Sequence, residues 1–87
     1  MIRNVQTLVN ARQIRAARSW LGWSQDALAA KSGVGRATIA RIELSAEIRQ
    51  GLTLAAIQRA FEDAGVEFQF ENSDPIGFLI RPGAAKK

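Results

Sequence analysis

Only carboxylates could act as acid or base near neutral pH in this chain. The 87 residues include no cysteine and no histidine. Disulfides, thiolate–imidazole zinc sites and every mechanism built on a histidine base are thereby excluded. The acidic side chains number eight, and none stands in a pattern that catalysis uses. Glu62 and Asp63 are neighbours, which project to different sides of a helix. Glu67 and Glu71 share the polar face of an alternating segment. No glycine-rich phosphate cradle or nucleophile elbow is present. The expectation is a protein without enzyme activity, metal or cofactor.

The basic residues say more. Twelve Lys+Arg against eight Asp+Glu give +4. Residues 1–51 carry eight basic groups against three acidic ones, and seven of those eight are arginine. Residues 52–87 carry four basic groups against five acidic ones. The positive field therefore belongs to the first half. The planar arginine fork suits phosphates and guanine edges, and nucleic acid is the partner such a field attracts. No apolar run approaches the roughly 20 residues of a membrane helix. The first residues lack the apolar stretch of a signal peptide. A cytoplasmic, nucleoid-associated protein is expected.

Four helices must position these arginines. Ile14, Ala17 and Leu21 recur at helical spacing from Asn10 onward, and Gly22 suits a C-terminus. Ser24 is an N-cap for a short second helix that Gly33 ends, with Asp26 in its first turn. A third helix follows Gly35 over 36–43, and 44–51 reads as a loop. Thr53 caps a fourth helix over 54–64, stopped by Gly65. The period then changes. Residues 66–71 alternate apolar and polar as a half-buried strand does. A turn over 72–75 leads to a second strand over 77–81. The organisation expected is a lead-in (1–9), a helical domain (10–65), a β extension (66–81) and a tail (82–87).

The stretch 24–43 has the arrangement of a helix-turn-helix. Ala29 is small enough for two helices to cross closely, and Gly33 permits a left-handed turn. Val34, Ile39 and Ile42 face inward, which leaves Arg36, Ala37, Thr38, Ala40 and Arg41 outward. A helix with two arginines and small neighbours fits a major groove about 12 Å wide. Trp23 falls at the apolar junction of the first two helices and belongs to the core. Trp20 falls off the apolar face and reads as a half-exposed packing residue or a partner contact.

Arg18-x4-Trp23-Ser24-Gln25-x2-Leu28-Ala29-x3-Gly33-Val34-x3-Thr38-Ile39-Ala40-Arg41-Ile42-Glu43 resembles the Cro/C1-type (XRE-like) helix-turn-helix of phage repressors and small bacterial regulators. The later Thr53-Leu54-x2-Ile57-x3-Phe61 resembles that family's fifth helix. The resemblance implies a mainly α fold, a compact four- to five-helix bundle of the lambda-repressor-like kind, here followed by a short C-terminal β-hairpin or strand pair. It implies base contacts from Arg36, Ala37, Thr38 and Arg41. Phosphate contacts are expected from Gln25 and Ser24 at the start of the second helix. Arg18 and Glu43 match the family's structural ion pair. Two departures stand out. Gly35 occupies a cap position where the family often has Ser or Thr, and Leu44-Ser45-Ala46 replaces its Gly-containing loop. Arg49 is the phosphate candidate in that loop.

The expected function is sequence-specific binding of a palindromic DNA operator as a homodimer, regulating transcription. A lone two-stranded hairpin is marginal in water and leaves open edges. Val66, Phe68, Phe70, Phe78 and Ile80 are accordingly expected either to cap the helical core or to pair two copies, with dimerisation preferred. The alternative is an antitoxin or antiactivator that inhibits a partner protein, with DNA binding only autoregulatory.

Overall fold

A computed structural model describes residues 9–44, 51–71 and 74–81. Four helices come first: α1 (Ala11–Leu21), α2 (Gln25–Ser32), α3 (Arg36–Leu44) and α4 (Gly51–Asp63). Two antiparallel strands follow, β1 (Val66–Glu71) and β2 (Asp74–Ile80).

Local sequence explains where the helices begin and end. Asn10 caps α1, its side chain accepting from the Gln13 amide at 2.9 Å while the Gln13 side chain accepts from the Asn10 N–H at 3.2 Å. This reciprocal pair satisfies two otherwise unpaired donors. Gly22 and Gly33 end α1 and α2 in the left-handed region, with φ of 74° and 77°. A Cβ at Gly33 would meet nothing within 4 Å. Backbone conformation, not space, therefore demands glycine there.

The helices pack around Ile14, Leu28, Ile39, Ile42, Ile57 and Phe61, which are fully buried. Trp23 stacks on Phe61 at 5.3 Å, Phe61 meets Phe68 edge-on at 5.6 Å, and Phe68 meets Phe78 edge-on at 6.3 Å. This aromatic file runs from the α1–α2 junction into the hairpin, each pair adding about 0.5–1.5 kcal/mol beyond burial. The hairpin thus shares the helical core. Gln13, itself buried, donates to the Gly77 carbonyl at 2.8 Å and to the Gln69 carbonyl at 3.3 Å, pinning both strands to α1.

Five element boundaries differ from the sequence reading, two of them only in that α4 ends at Asp63 and β2 at Ile80, one residue early. α4 begins at Gly51, so Thr53 lies inside its first turn and does not cap it. α3 continues through Leu44, which is helical and not loop. β2 begins at Asp74, because strand pairing outweighs the turn preference of Pro75. Phe70 pairs with Pro75 after a register shift between Gln69 and Phe70, the kind of irregularity that admits proline. Of the expected lead-in over 1–9 only Val9 is described, and it is buried in the core; residues 1–8 and the expected tail over 82–87 lie outside the described residues.

Val66 and Phe68 point into their own chain's core, and Phe70, Phe78 and Ile80 are half-buried against it. Core packing therefore occupies the Val66 and Phe68 side chains. The part of the hairpin a second copy would meet is its outer face and open edges, where Leu79 is exposed.

Candidate nucleic-acid interface

The site is built from the junction of α1, α2 and α3 outward. Arg18 on α1 grips the Glu43 carboxylate with two parallel bonds, Nε to Oε2 at 2.8 Å and Nη2 to Oε1 at 2.9 Å. Its third nitrogen, Nη1, donates to the Trp23 carbonyl at 3.1 Å. The Gln25 side-chain amide donates to Glu43 Oε1 at 3.1 Å. Arg15 Nη1 donates to the Glu43 main-chain carbonyl near the end of α3, where a cation also suits the helix dipole. One buried carboxylate thereby ties three helices together. Planar two-point pairing fixes angle as well as distance.

The electrostatics follow from this geometry. Burial pushes the Glu43 carboxyl up, but the hydrogen bonds from Arg18 and Gln25 and the charges of Arg18 and Arg15 outweigh it and hold the group below its ordinary value. The hydrogen bond to Glu43 raises Arg18 in turn, against the opposing effect of burial. The pair is ionised at neutral pH.

With Glu43, Ile39 and Ile42 turned inward, α3 presents its other flank to solvent. Arg36, Ala37 and Arg41 are exposed, while Thr38 and Ala40 are half-buried. Arg36 Nε lies 3.2 Å from Asp26 Oδ1, with both side chains largely exposed. Such a surface pair holds Arg36 only loosely. Ser24 caps α2, its hydroxyl accepting from the Ala27 N–H at 2.9 Å. Gly35 opens α3 through its carbonyl alone, which accepts from Ile39 N–H at 3.0 Å. Arg49 lies outside the described residues.

Four participants were missed by sequence reasoning. Gln13 falls between the apolar positions of α1 as a polar residue, although the Asn10-x2-Gln13 spacing is a recognisable reciprocal cap. Arg15 lies off the Ile14–Ala17–Leu21 face of α1, and nothing local predicts its bond to Glu43. Asp26 carried a helix-dipole role, and its meeting with Arg36 depends on how α2 and α3 cross. Leu44 falls in the stretch 44–51 that reads as a loop, yet it closes α3. Trp20 is 58% exposed, and Trp23 is buried with an indole N–H that has no hydrogen-bond partner among the described residues. Lys31 stands over the Trp23 ring, 5.1 Å from its centroid.

Such an arrangement offers an exposed, cationic, narrow helix braced from behind by an ion pair. Among the described residues no group of three or more His, Cys, Asp or Glu could hold a metal, and no helix is long and apolar enough to cross a membrane. A helix-turn-helix family profile matches residues 14–61, just over half of the chain. The chain belongs to this Cro/C1-type, XRE-like family, one of DNA-binding regulatory domains and not of enzymes. In general terms it is a DNA-binding transcription regulator. A search of curated proteins gives no match.

Proposed function

We propose that the chain binds a palindromic operator, sequence-specifically and as a homodimer. The observation that carries this reading is the outward flank of α3, where Arg36, Ala37 and Arg41 stand exposed while Glu43 on the inner side is bonded to α1 and α2. Arg36, Thr38 and Arg41 read base edges. Either arginine, bidentate to guanine, contributes about 1–3 kcal/mol of discrimination. Ala37 meets a thymine methyl.

Phosphate contacts set the register. The Ser24 hydroxyl accepts within its cap and keeps its own proton to donate. Gln25 uses one amide proton on Glu43 and has a second for phosphate. Both sit at the N-terminus of α2, whose free N–H groups favour an anion. Arg49 supplies a further contact. Two copies place their α3 helices in successive major grooves, about 34–36 Å apart. They associate through the open edges and outer face of the hairpin, because the inner face is already packed. The outcome at a promoter is occlusion or recruitment.

The test is selection from a randomised duplex pool, followed by affinity measurements over a salt series. An enriched palindrome whose affinity falls steeply with salt is expected. Sedimentation at tens of micromolar, with and without that duplex, checks the dimer. A monomer in both conditions would remove that part of the reading.

One observation favours a second reading, in which the chain holds a partner protein as an antitoxin or antiactivator. Trp20 is 58% exposed on α1. Trp20→Ala would then abolish partner capture and leave duplex affinity unchanged.

A further inference from the structure

The exposed flank of α3 has an apolar centre. At about 100° per residue, Ala37, Ala40 and Leu44 follow one line at i, i+3 and i+7. Arg36 stands to one side of that line and Arg41 to the other, while the buried Ile39 and Ile42 lie opposite it. The line ends in Leu44, which is 89% exposed and adds nothing to the core of its own chain.

Charge surrounds this leucine. Leu44 borders a notch of about 370 Å³ between α1 and the end of α3, and Arg12 and Arg15 line the same notch. Glu43 and Asn10 line it too, and Arg15 is bonded to the Glu43 carbonyl, whereas Arg12 and Arg15 are both exposed. An apolar side chain beside exposed guanidinium groups is poorly suited to an apolar protein face, which would desolvate those charges. It is well suited to a duplex groove, where phosphates neutralise the arginines and the thymine 5-methyl is the apolar feature of the base edges. From Ala37 to Leu44 the line covers about 10 Å, matching roughly three base steps of about 3.4 Å.

We infer that Leu44 is a specificity-determining residue that packs on a thymine 5-methyl group at the edge of each half-site. Ala37 and Ala40 form the narrow ridge that lets the helix approach closely enough for this contact. The inference rests on the DNA-binding reading above and adds to it a second methyl-dependent preference for thymine, at a base step other than the one Ala37 meets.

The test uses the duplex that the wild-type chain enriches from the randomised pool. Each thymine is replaced singly by deoxyuridine, which removes only the methyl. Dissociation constants are measured for the wild-type chain, Leu44→Ala and Leu44→Gln, with circular dichroism confirming unchanged helix content. At one thymine per half-site, distinct from any that Ala37 contacts, uracil should weaken the wild-type chain about fourfold, the affinity equivalent of one buried methyl-sized group. Both variants should bind the thymine duplex more weakly and be indifferent to uracil at that position.

Equal losses by the variants on thymine and uracil duplexes would overturn the inference, because Leu44 would then touch sugar, phosphate or a second copy. Indifference of the wild-type chain to uracil at every thymine, or an enriched site with no thymine, would also overturn it. Those results leave operator binding intact. If no duplex is enriched at all, the operator reading fails first and the thymine contact falls with it.

Discussion

Arg18 and Arg41 are the same residue type in the same domain, and the fold uses them in opposite ways. Three of the Arg18 nitrogens donate to Glu43 or the Trp23 carbonyl, and its side chain is 22% exposed. Arg41 is exposed on the free flank of α3. Arg36 lies between these cases, loosely tied to a still more exposed Asp26. An arginine matched by a buried carboxylate fixes geometry. An arginine left facing water retains its capacity for a ligand, and desolvating it costs little when phosphate or guanine replaces the water. The inner corner of the motif is thus a frame and the outer flank a reading surface, although both are built from guanidinium groups.

This contrast can be broken at either end. Glu43→Ala should have the largest effect. It leaves a mostly buried Arg18 without its partner and should cost about 3 kcal/mol of stability, read by urea denaturation. A loss below about 1 kcal/mol would mean that Glu43 does not brace the helices.

Arg41→Ala should do the reverse. Stability should stay within about 0.5 kcal/mol, while discrimination between the selected duplex and random DNA should fall by about 1–3 kcal/mol. Gln25→Ala should instead weaken both duplexes more evenly, because a phosphate contact carries no sequence.

Acid sharpens the same contrast. Glu43 titrates below its unfolded value, so its contribution is fully present above the ordinary glutamate pKa of about 4.3 and is lost as pH falls through the depressed folded value. Stability measured from neutral pH into acid should decline in that window for the wild-type chain. Glu43→Gln should show a shallower decline, since it has no such proton to bind.

The smallest effect belongs to Asp26→Asn. Releasing Arg36 from an exposed pair and removing a negative charge near the interface should tighten duplex binding by less than about 1 kcal/mol. Weaker binding would show that Asp26 instead positions Arg36 for its contact.

Periodicity and capping chemistry carried most of the fold. The Ile14–Ala17–Leu21 spacing, the Ser24 cap and the glycines at 22 and 33 set the helix limits because each acts through the chain's own neighbours. The alternation over residues 66–71 set β1 for the same reason. What stayed hidden depends on tertiary meetings. Thr53 resembles a cap, yet α4 starts two residues earlier. The alternation at Val66 and Phe68 marks one apolar strand face and leaves open whether it caps the helical core or meets a second copy; the packing of the hairpin on α1 and α4 turns these two inward. At the site, the outward register of Arg36, Ala37 and Arg41 follows from helical spacing. The bonds of Arg15 to Glu43 and of Asp26 to Arg36 join residues on different helices, and local sequence does not encode crossing angles.

The most direct test of the central claim is an amide NMR titration of the chain with its selected duplex. The largest chemical-shift changes should fall on residues 36–44 and on Ser24 and Gln25, with β1 and the buried face of α4 little affected. Changes concentrated on the hairpin or on α1 around Trp20, with α3 unmoved, would contradict the assignment of the outer α3 flank as the DNA-reading surface.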